Sequence, residues 1–157
     1  MQQADAKTLT ALLHLRNIAS MDETPFSIVS EMLDLRNREL AEATRVDDFI
    51  ISEHLISLML AQLSEDEDLF PIFESIFAPE GAEIYLKPIS DYVLPDQAAT
   101  FYTVVEAAWQ RGETALGYRI AGESSDAAKN YGIHINPKKS EKVNFALDDK
   151  VIVIAEN

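Results

Sequence analysis

The chain contains no cysteine among its 157 residues, which excludes disulfide bonds, thiolate metal sites and catalysis by a thiol. Its apolar runs are only a few residues long, far short of the roughly 20 that a helix needs to cross a bilayer. The N-terminus has no basic segment followed by an apolar stretch, so no secretory signal is predicted. We therefore expect a soluble, cytoplasmic protein whose own segment does not insert into a membrane.

Glycine is scarce and unevenly placed. None of the five glycines precedes Gly81, and no two of them form a G-x-G pair. Loops that hold the phosphates of nucleotides need glycine where backbone amides approach the anion. The sequence therefore predicts neither a dinucleotide fingerprint nor a P-loop, and we expect neither NAD(H) nor ATP to bind this chain appreciably.

Basic residues are also few. The chain has 27 Asp and Glu against 13 Lys and Arg, a net charge of −14, which disfavours nucleic acids and anionic membranes as partners. Residues 46–86 include no Lys or Arg but ten carboxylates. Two interpretations of this window stay open: a solvated acidic surface, or a site for a hard cation built from carboxylate oxygens.

No group of side chains predicts catalysis. The three histidines, His14, His54 and His134, form no H-x-x-x-H or H-x-H pair, and His134 is expected on the polar side of a strand. No serine lies in the sequence context of a nucleophile elbow. We predict that the chain is not an enzyme.

The N-terminal part is predicted to contain parallel strands. Residues 4–18 favour a helix, residues 26–33 and 47–52 favour strands, and residues 35–44 favour a helix with Asp34 as its N-cap. A strand, a helix and a strand at this spacing predict a βαβ unit. Because two parallel strands cannot bury both faces of a sheet, we expect the chain to begin within a larger fold.

Two very apolar helices are predicted next. Residues 53–63 are apolar around most of the helix, and residues 69–77 carry one broad apolar stripe, with Pro71 in the first turn. An acidic turn joins them, and such a helix pair in a small domain predicts an interface with a second copy of the chain. The predicted interface residues are Leu55, Met59, Leu63, Leu69, Ile72, Phe73, Ile76 and Phe77.

From Gly81 onward the apolar pattern has a period of two. It predicts strands around residues 84–86, 116–120, 131–135 and 151–155, a helix at 100–110 and a surface loop at 122–130. The predicted fold class is α/β, in three parts. These are a partial Rossmann-like N-lobe with parallel strands (1–52), a helix–turn–helix dimerisation crossover (53–79) and a β-rich α+β C-lobe (80–157).

Three regions resemble the cytosolic regulatory domain of CASTOR/POLLUX-type ion channels. They are FSIVSEMLDLRNRELAEAT (26–44), GAEIYLKPI (81–89) and a C-terminal region. In that last region LGYRIA (116–121), INP (135–137) and ALDDKVIVIAEN (146–157) follow in the order typical of this family. The family is related to the RCK, or TrkA-like, domains that regulate potassium conductance.

The resemblance implies a ligand-sensing regulatory domain of a cation channel or transporter. Such domains pair through the crossover into a homodimer or a larger ring, and the ring acts on a membrane pore of the same or a longer chain. The alternative left open is a free-standing interaction or adaptor domain of the same fold with no pore.

The resemblance also implies a calcium site near the crossover. In several relatives Ca²⁺ lies between carboxylates there, and the matching region contains Glu65, Asp66, Asp68, Glu80 and Glu83. Ca²⁺ takes six to eight oxygen ligands, so one turn alone would rarely suffice. Ca²⁺ is accordingly the one cofactor that we predict, at these five residues.

Overall fold

The computed structural model describes residues 2–21, 28–32, 48–124 and 126–156. The chain divides into two compact units, Met1–Phe70 and Pro71–Asn157. Within the described residues, no helix is both long enough and apolar enough to cross a membrane. The predicted α/β class is confirmed, whereas the predicted helix at 35–44 lies outside the described residues.

The first unit combines a long helix with a pair of parallel strands. Helix α1 (Gln2–Met21) extends beyond the predicted 4–18, and strands β1 (Val29–Met32) and β2 (Asp48–Ile51) pair in parallel, as predicted. Val29 lies opposite Asp48, so the two strands are in register along their whole length. Leu12 of α1 is buried, as is Ile28 just before β1.

Two helices connected by a short acidic turn follow β2. Helix α2 (Ser52–Glu65) and helix α3 (Leu69–Phe77) match the predicted pair, and the division between the units falls inside α3. The Asp66 side chain accepts a hydrogen bond from the Asp68 N–H at 3.0 Å, and the Asp66 carbonyl accepts one from the Leu69 N–H at 3.3 Å. These bonds end one helix and start the next.

After α3, the described residues of the second unit form one α-helix and six strands: β3 (Glu83–Pro88), β4 (Ala98–Thr100), α4 (Phe101–Gln110), β5 (Thr114–Arg119), β6 (Ile133–Ile135), β7 (Lys142–Asn144) and β8 (Lys150–Ala155). Four of the strands form an antiparallel sheet of order β3-β8-β5-β6, and β4 and β7 form a separate antiparallel pair. Short 3₁₀ turns occupy Ile89–Asp91, Ala121–Glu123 and Ala127–Gly132.

The core of the second unit lies between α4 and one face of this sheet. It contains the buried residues Phe101, Val104 and Ala108 of α4 and Tyr118, Val151 and Val153 of the sheet. The Tyr118 ring contacts Phe145 edge-on, with 5.2 Å between ring centroids. Each large apolar side chain buried in this way contributes about 1.5–3 kcal/mol, so this layer supplies much of the unit's stability.

Several details differ from the sequence-based expectations. Strands β4 and β7 were not predicted, since three residues are too few to show a period of two. The strand predicted to include Tyr131 begins at Ile133, because Tyr131 adopts a left-handed backbone conformation with φ 54°. The segment predicted as a surface loop at 122–130 contains short 3₁₀ turns, but Lys129 and Asn130 within it have non-helical backbone angles. In β3, Tyr85 packs against the core whereas Ile84 lies on the other face and is half exposed.

Candidate functional site

The predicted dimer interface lies on helices that bury none of their residues. Helices α2 and α3 are described throughout, and neither contains a buried side chain. Leu55, Ile72 and Phe77 expose 41%, 51% and 60% of their surface. The other five predicted interface residues are partly buried: Met59, Leu63, Leu69, Phe73 and Ile76. Each helix thus presents apolar surface to its surroundings.

The five predicted calcium ligands belong to two different units. Glu65, Asp66 and Asp68 lie at the end of α2 and in the following turn, while Glu80 and Glu83 belong to the second unit. Across the described ranges, no three His, Cys, Asp or Glu side chains come close enough together to hold a metal ion. Calcium binding therefore stays a prediction, to be decided by a binding measurement.

A buried carboxylate in the second unit holds three chain segments together. Asp149 is 2% exposed, and its Oδ1 and Oδ2 atoms accept hydrogen bonds from the N–H groups of Ala121 and Ala146, each at 2.8 Å. Its main-chain carbonyl accepts a third bond from the Ile89 N–H at 3.0 Å. A buried carboxylate is tolerated when such donors satisfy its oxygens. Asp149 thereby fixes the start of β8 to the loop that follows β5.

An open pocket of about 140 Å³ lies beside this connection. Five residues line it: Arg119, Ala121, Ser124, Asp148 and Lys150. The Ala121 N–H is the group that Asp149 binds, so the carboxylate positions one wall of the pocket. The pocket therefore combines two cationic side chains, one hydroxyl and one carboxylate at the ends of two adjacent strands.

The two cations of the pocket are direct neighbours across the sheet. Arg119, the last residue of β5, lies opposite Lys150, the first residue of β8, and Tyr118 lies opposite Val151. Tyr118 and Val151 point into the core. Since side chains alternate along a strand, Arg119 and Lys150 share the outer face.

Arg119 also contains an unsatisfied donor. Its Nε atom is buried, and it has no hydrogen-bond partner within the described part of the chain. Buried polar nitrogens are nearly always paired, and leaving one unpaired costs about 1–3 kcal/mol.

A second polar group lies around the His134 ring. His134 was expected on the polar side of its strand, but its ring stacks on buried Tyr118, with 4.8 Å between ring centroids. Glu123 accepts a hydrogen bond from the Lys129 Nζ at 2.7 Å and lies 3.4 Å from the His134 Nε2. The hydrogen bond from Lys129 and the nearby His134 together lower the pKa of Glu123. These contacts fix the segment between β5 and β6.

A third polar group connects β3 to the start of β5. Glu113 accepts hydrogen bonds from the Lys87 Nζ at 2.7 Å and from the Tyr92 hydroxyl. Burial raises the pKa of Glu113, but these hydrogen bonds and the charges of Lys87 and Arg111 outweigh burial, so the pKa lies below its ordinary value. Burial of the Tyr92 hydroxyl and its hydrogen bond to the Glu113 carboxylate strongly raise the pKa of Tyr92. The network stabilises the unit while Glu113 is ionised.

Sequence reasoning missed the pocket and the connection made by Asp149. Asp149 and Lys150 lie within the C-terminal segment that carried the family resemblance, and Arg119 lies within LGYRIA. None of them stood out as a ligand-binding residue, because their proximity depends on pairing between strands that are far apart in sequence.

Comparisons with known proteins identify plant ion channels as relatives. No family model matches the sequence. The chain is 33% identical over 131 residues to a probable ion channel POLLUX of Arabidopsis thaliana, 35% over 129 residues to the probable ion channel SYM8 of Pisum sativum, and 34% over 129 residues to the ion channel DMI1 of Medicago truncatula. These alignments cover 82–83% of this chain but only 14–15% of the relatives' length.

Two solved structures show a weaker likeness. One is described as the GsuK channel bound to NAD, with a TM-score of 0.37 and 15% identity over 96% of this chain and 23% of that one. The other is the RCK domain of GsuK, with a TM-score of 0.35 and 16% identity over 96% of this chain and 28% of that one.

Proposed function

We propose that this chain, a homologue of the CASTOR, POLLUX and DMI1 ion channels, is a cytosolic regulatory domain that controls a cation-conducting pore. The observation that carries the proposal is the alignment itself, which spans 82–83% of this chain and a segment of about 14% of each channel. A chain that corresponds to one segment of a channel acts most simply as one part of a channel assembly. We assign it no catalytic role, since its relatives are named as ion channels.

We propose further that the chain associates with itself through helices α2 and α3. Each helix presents apolar side chains that the chain does not bury, and burying such a side chain contributes about 1.5–3 kcal/mol. Seven Leu, Ile or Phe side chains of these helices are 41–60% exposed: Leu55, Ile56, Leu58, Leu60, Phe70, Ile72 and Phe77. A second copy covering them would remove this apolar surface from water.

We propose that each of the three predicted parts of the chain has its own role in this assembly. Residues 1–52 form the N-lobe, residues 53–79 the dimerising crossover and residues 80–157 the C-lobe. Pairs of chains joined at the crossover would assemble into a homodimer or a larger ring. A ligand that changes the relative stability of two arrangements of this ring would change the state of the pore.

Sedimentation equilibrium tests the association. We expect a dimer or a larger species at micromolar concentration. Ile72→Asp should weaken the association and raise its dissociation constant about ten- to a hundredfold, because each 1.4 kcal/mol of lost binding free energy corresponds to a factor of ten. Leu94→Asp is the matched control, because Leu94 is 69% exposed but lies outside the predicted interface. A folded wild-type monomer at these concentrations would exclude the interface.

Ion flux tests the regulatory role. The complete reading frame that encodes this chain is expressed with Ile72→Asp or Leu94→Asp, and cation currents are compared with the wild type. We expect Ile72→Asp to change the cation current and Leu94→Asp to leave it unchanged. Identical currents in all three proteins would contradict a regulatory role for these helices.

A further inference from the structure

We propose that the pocket between Arg119 and Lys150 binds a small anion that carries a phosphate group. Two positive charges lie side by side in this pocket. Arg119 and Lys150 are direct partners in the antiparallel β5–β8 ladder and line the same pocket. Like charges directly opposite each other across two strands are destabilising. An anion bound between the two side chains would offset the repulsion of their positive charges, because it attracts both of them.

Arg119 also has a hydrogen-bond donor without a partner among the described residues. Its Nε atom is buried and has no partner within the described residues, although Asp148 lines the same pocket. A guanidinium group binds phosphate through two parallel N–H donors, of which Nε–H supplies one. Because Nε is buried, we expect the guanidinium to turn toward the pocket when an oxyanion binds, which gives this nitrogen the partner that it lacks among the described residues.

The remaining pocket residues specify the class of ligand. Lys150 supplies a mobile point charge and Ser124 a hydroxyl donor, both suited to phosphate oxygens. The carboxylate of Asp148 opposes highly charged anions and favours a single phosphate group. The pocket of about 140 Å³ is open, so it can hold the phosphate while the organic part of a phosphate monoester extends into solvent.

The source of the phosphate is a small molecule in solution. A lipid phosphate presents the same chemistry, but a chain with a net charge of −14 is repelled from anionic membranes. The inference does not rest on the proposed channel role, because the pocket belongs to one chain and its binding is measured on that chain.

The experiment combines thermal unfolding with amide NMR of the full 157-residue chain. Millimolar sodium phosphate or glycerol 3-phosphate is compared with sodium chloride at equal ionic strength. We expect both phosphates to raise the melting temperature above the chloride value and to shift the amide signals of Ala121, Ser124 and Lys150. Amide shifts no larger than those in chloride would overturn the proposal.

Four variants separate binding from folding. Lys150→Gln should raise the melting temperature in the absence of phosphate, since it removes the like-charged pair, and yet weaken phosphate binding by about tenfold. Arg119→Gln should weaken phosphate binding at least as much as Lys150→Gln does. Asp148→Asn should tighten binding, a gain that partial unfolding would not produce. Lys142→Gln, which removes an exposed charge from β7, is the control and should bind like the wild type.

The outcomes that overturn the site are equally specific. Undiminished phosphate binding by the Arg119→Gln/Lys150→Gln double variant would place the anion elsewhere. Co-sedimentation with vesicles of phosphatidylcholine and phosphatidic acid, without any response to glycerol 3-phosphate, would replace the soluble ligand by a membrane surface.

Discussion

Replacing Asp149 by alanine gives the sharpest test of how the second unit is held together. The substitution leaves the N–H groups of Ala121 and Ala146 without the acceptors that they contact at 2.8 Å. A hydrogen bond to a charged group contributes about 1.5–3 kcal/mol, so the two together contribute about 3–6 kcal/mol. Removing a buried carboxylate relieves its desolvation, and this gain offsets part of the loss. We expect a net destabilisation of about 2–4 kcal/mol.

Urea unfolding followed by circular dichroism measures this loss. With a slope of about 2 kcal/mol per molar urea, the midpoint should fall by about 1–2 M. In Asp149→Asn one oxygen can still accept a hydrogen bond, but the amide NH₂ faces the other N–H donor. We therefore expect this variant to lose most of the stability that Asp149→Ala loses. Asp148→Asn changes the exposed neighbour and should alter the free energy of unfolding by less than about 0.5 kcal/mol.

One result would contradict the contribution assigned to the two hydrogen bonds of Asp149. If Asp149→Ala unfolds within about 0.5 kcal/mol of the wild type, with an unchanged slope, the two hydrogen bonds do not contribute as argued. A loss of equal size in Asp148→Asn would likewise show that the effect comes from charge in the turn rather than from the buried contacts.

Four further predictions concern other parts of the chain. Gly117→Ala should lower the free energy of unfolding by about 2 kcal/mol or more, because the added Cβ would lie 2.0 Å from a backbone carbonyl oxygen of β6. The control Gly122→Ala places its Cβ where no atom lies within 4 Å, so its melting temperature should stay close to that of the wild type. The pKa of Glu113 lies below its ordinary 4.5, so the stability that ionised Glu113 contributes is present above pH 4.5 and is lost as the pH falls through the lowered value. In Glu113→Gln the free energy of unfolding should therefore depend less on pH in this acidic range. Calorimetry should detect no micromolar binding of NAD(H) or ATP, since no glycine precedes Gly81. Millimolar CaCl₂ should raise the melting temperature more than ionic-strength-matched NaCl if carboxylates of 46–86 bind Ca²⁺; equal shifts would leave a solvated acidic surface.

Local periodicity explains which elements were predictable. Helix α3 was predicted at its observed bounds, and the predicted helix at 100–110 and strand at 151–155 differ from the observed ones by a single residue. Each of these segments shows its apolar period within its own residues. The parallel pairing of β1 and β2 followed from the spacing of two strands around a predicted helix.

Contacts between distant segments explain what was missed. Arg119 and Lys150 are 31 positions apart, and their pairing depends on the register of β5 against β8, which no tight turn sets. The register also shifts between Ala115 and Gly117, an irregularity that alternation alone does not predict. The sequence therefore predicted the strands of the second unit but not the pocket at their ends.

Helices α2 and α3 and the pocket at Arg119 depend on different forces, so ionic strength separates them. Burial of apolar side chains on α2 and α3 is insensitive to screening, and salts excluded from protein surfaces strengthen it. Attraction of a phosphate to Arg119 and Lys150 is electrostatic, and at 0.1 M salt it is screened beyond about 10 Å. Raising the concentration of sodium chloride should therefore preserve or tighten self-association while it weakens phosphate binding. If self-association weakened as well, charged contacts rather than burial of apolar side chains would hold the copies together, and its assignment to α2 and α3 would be wrong.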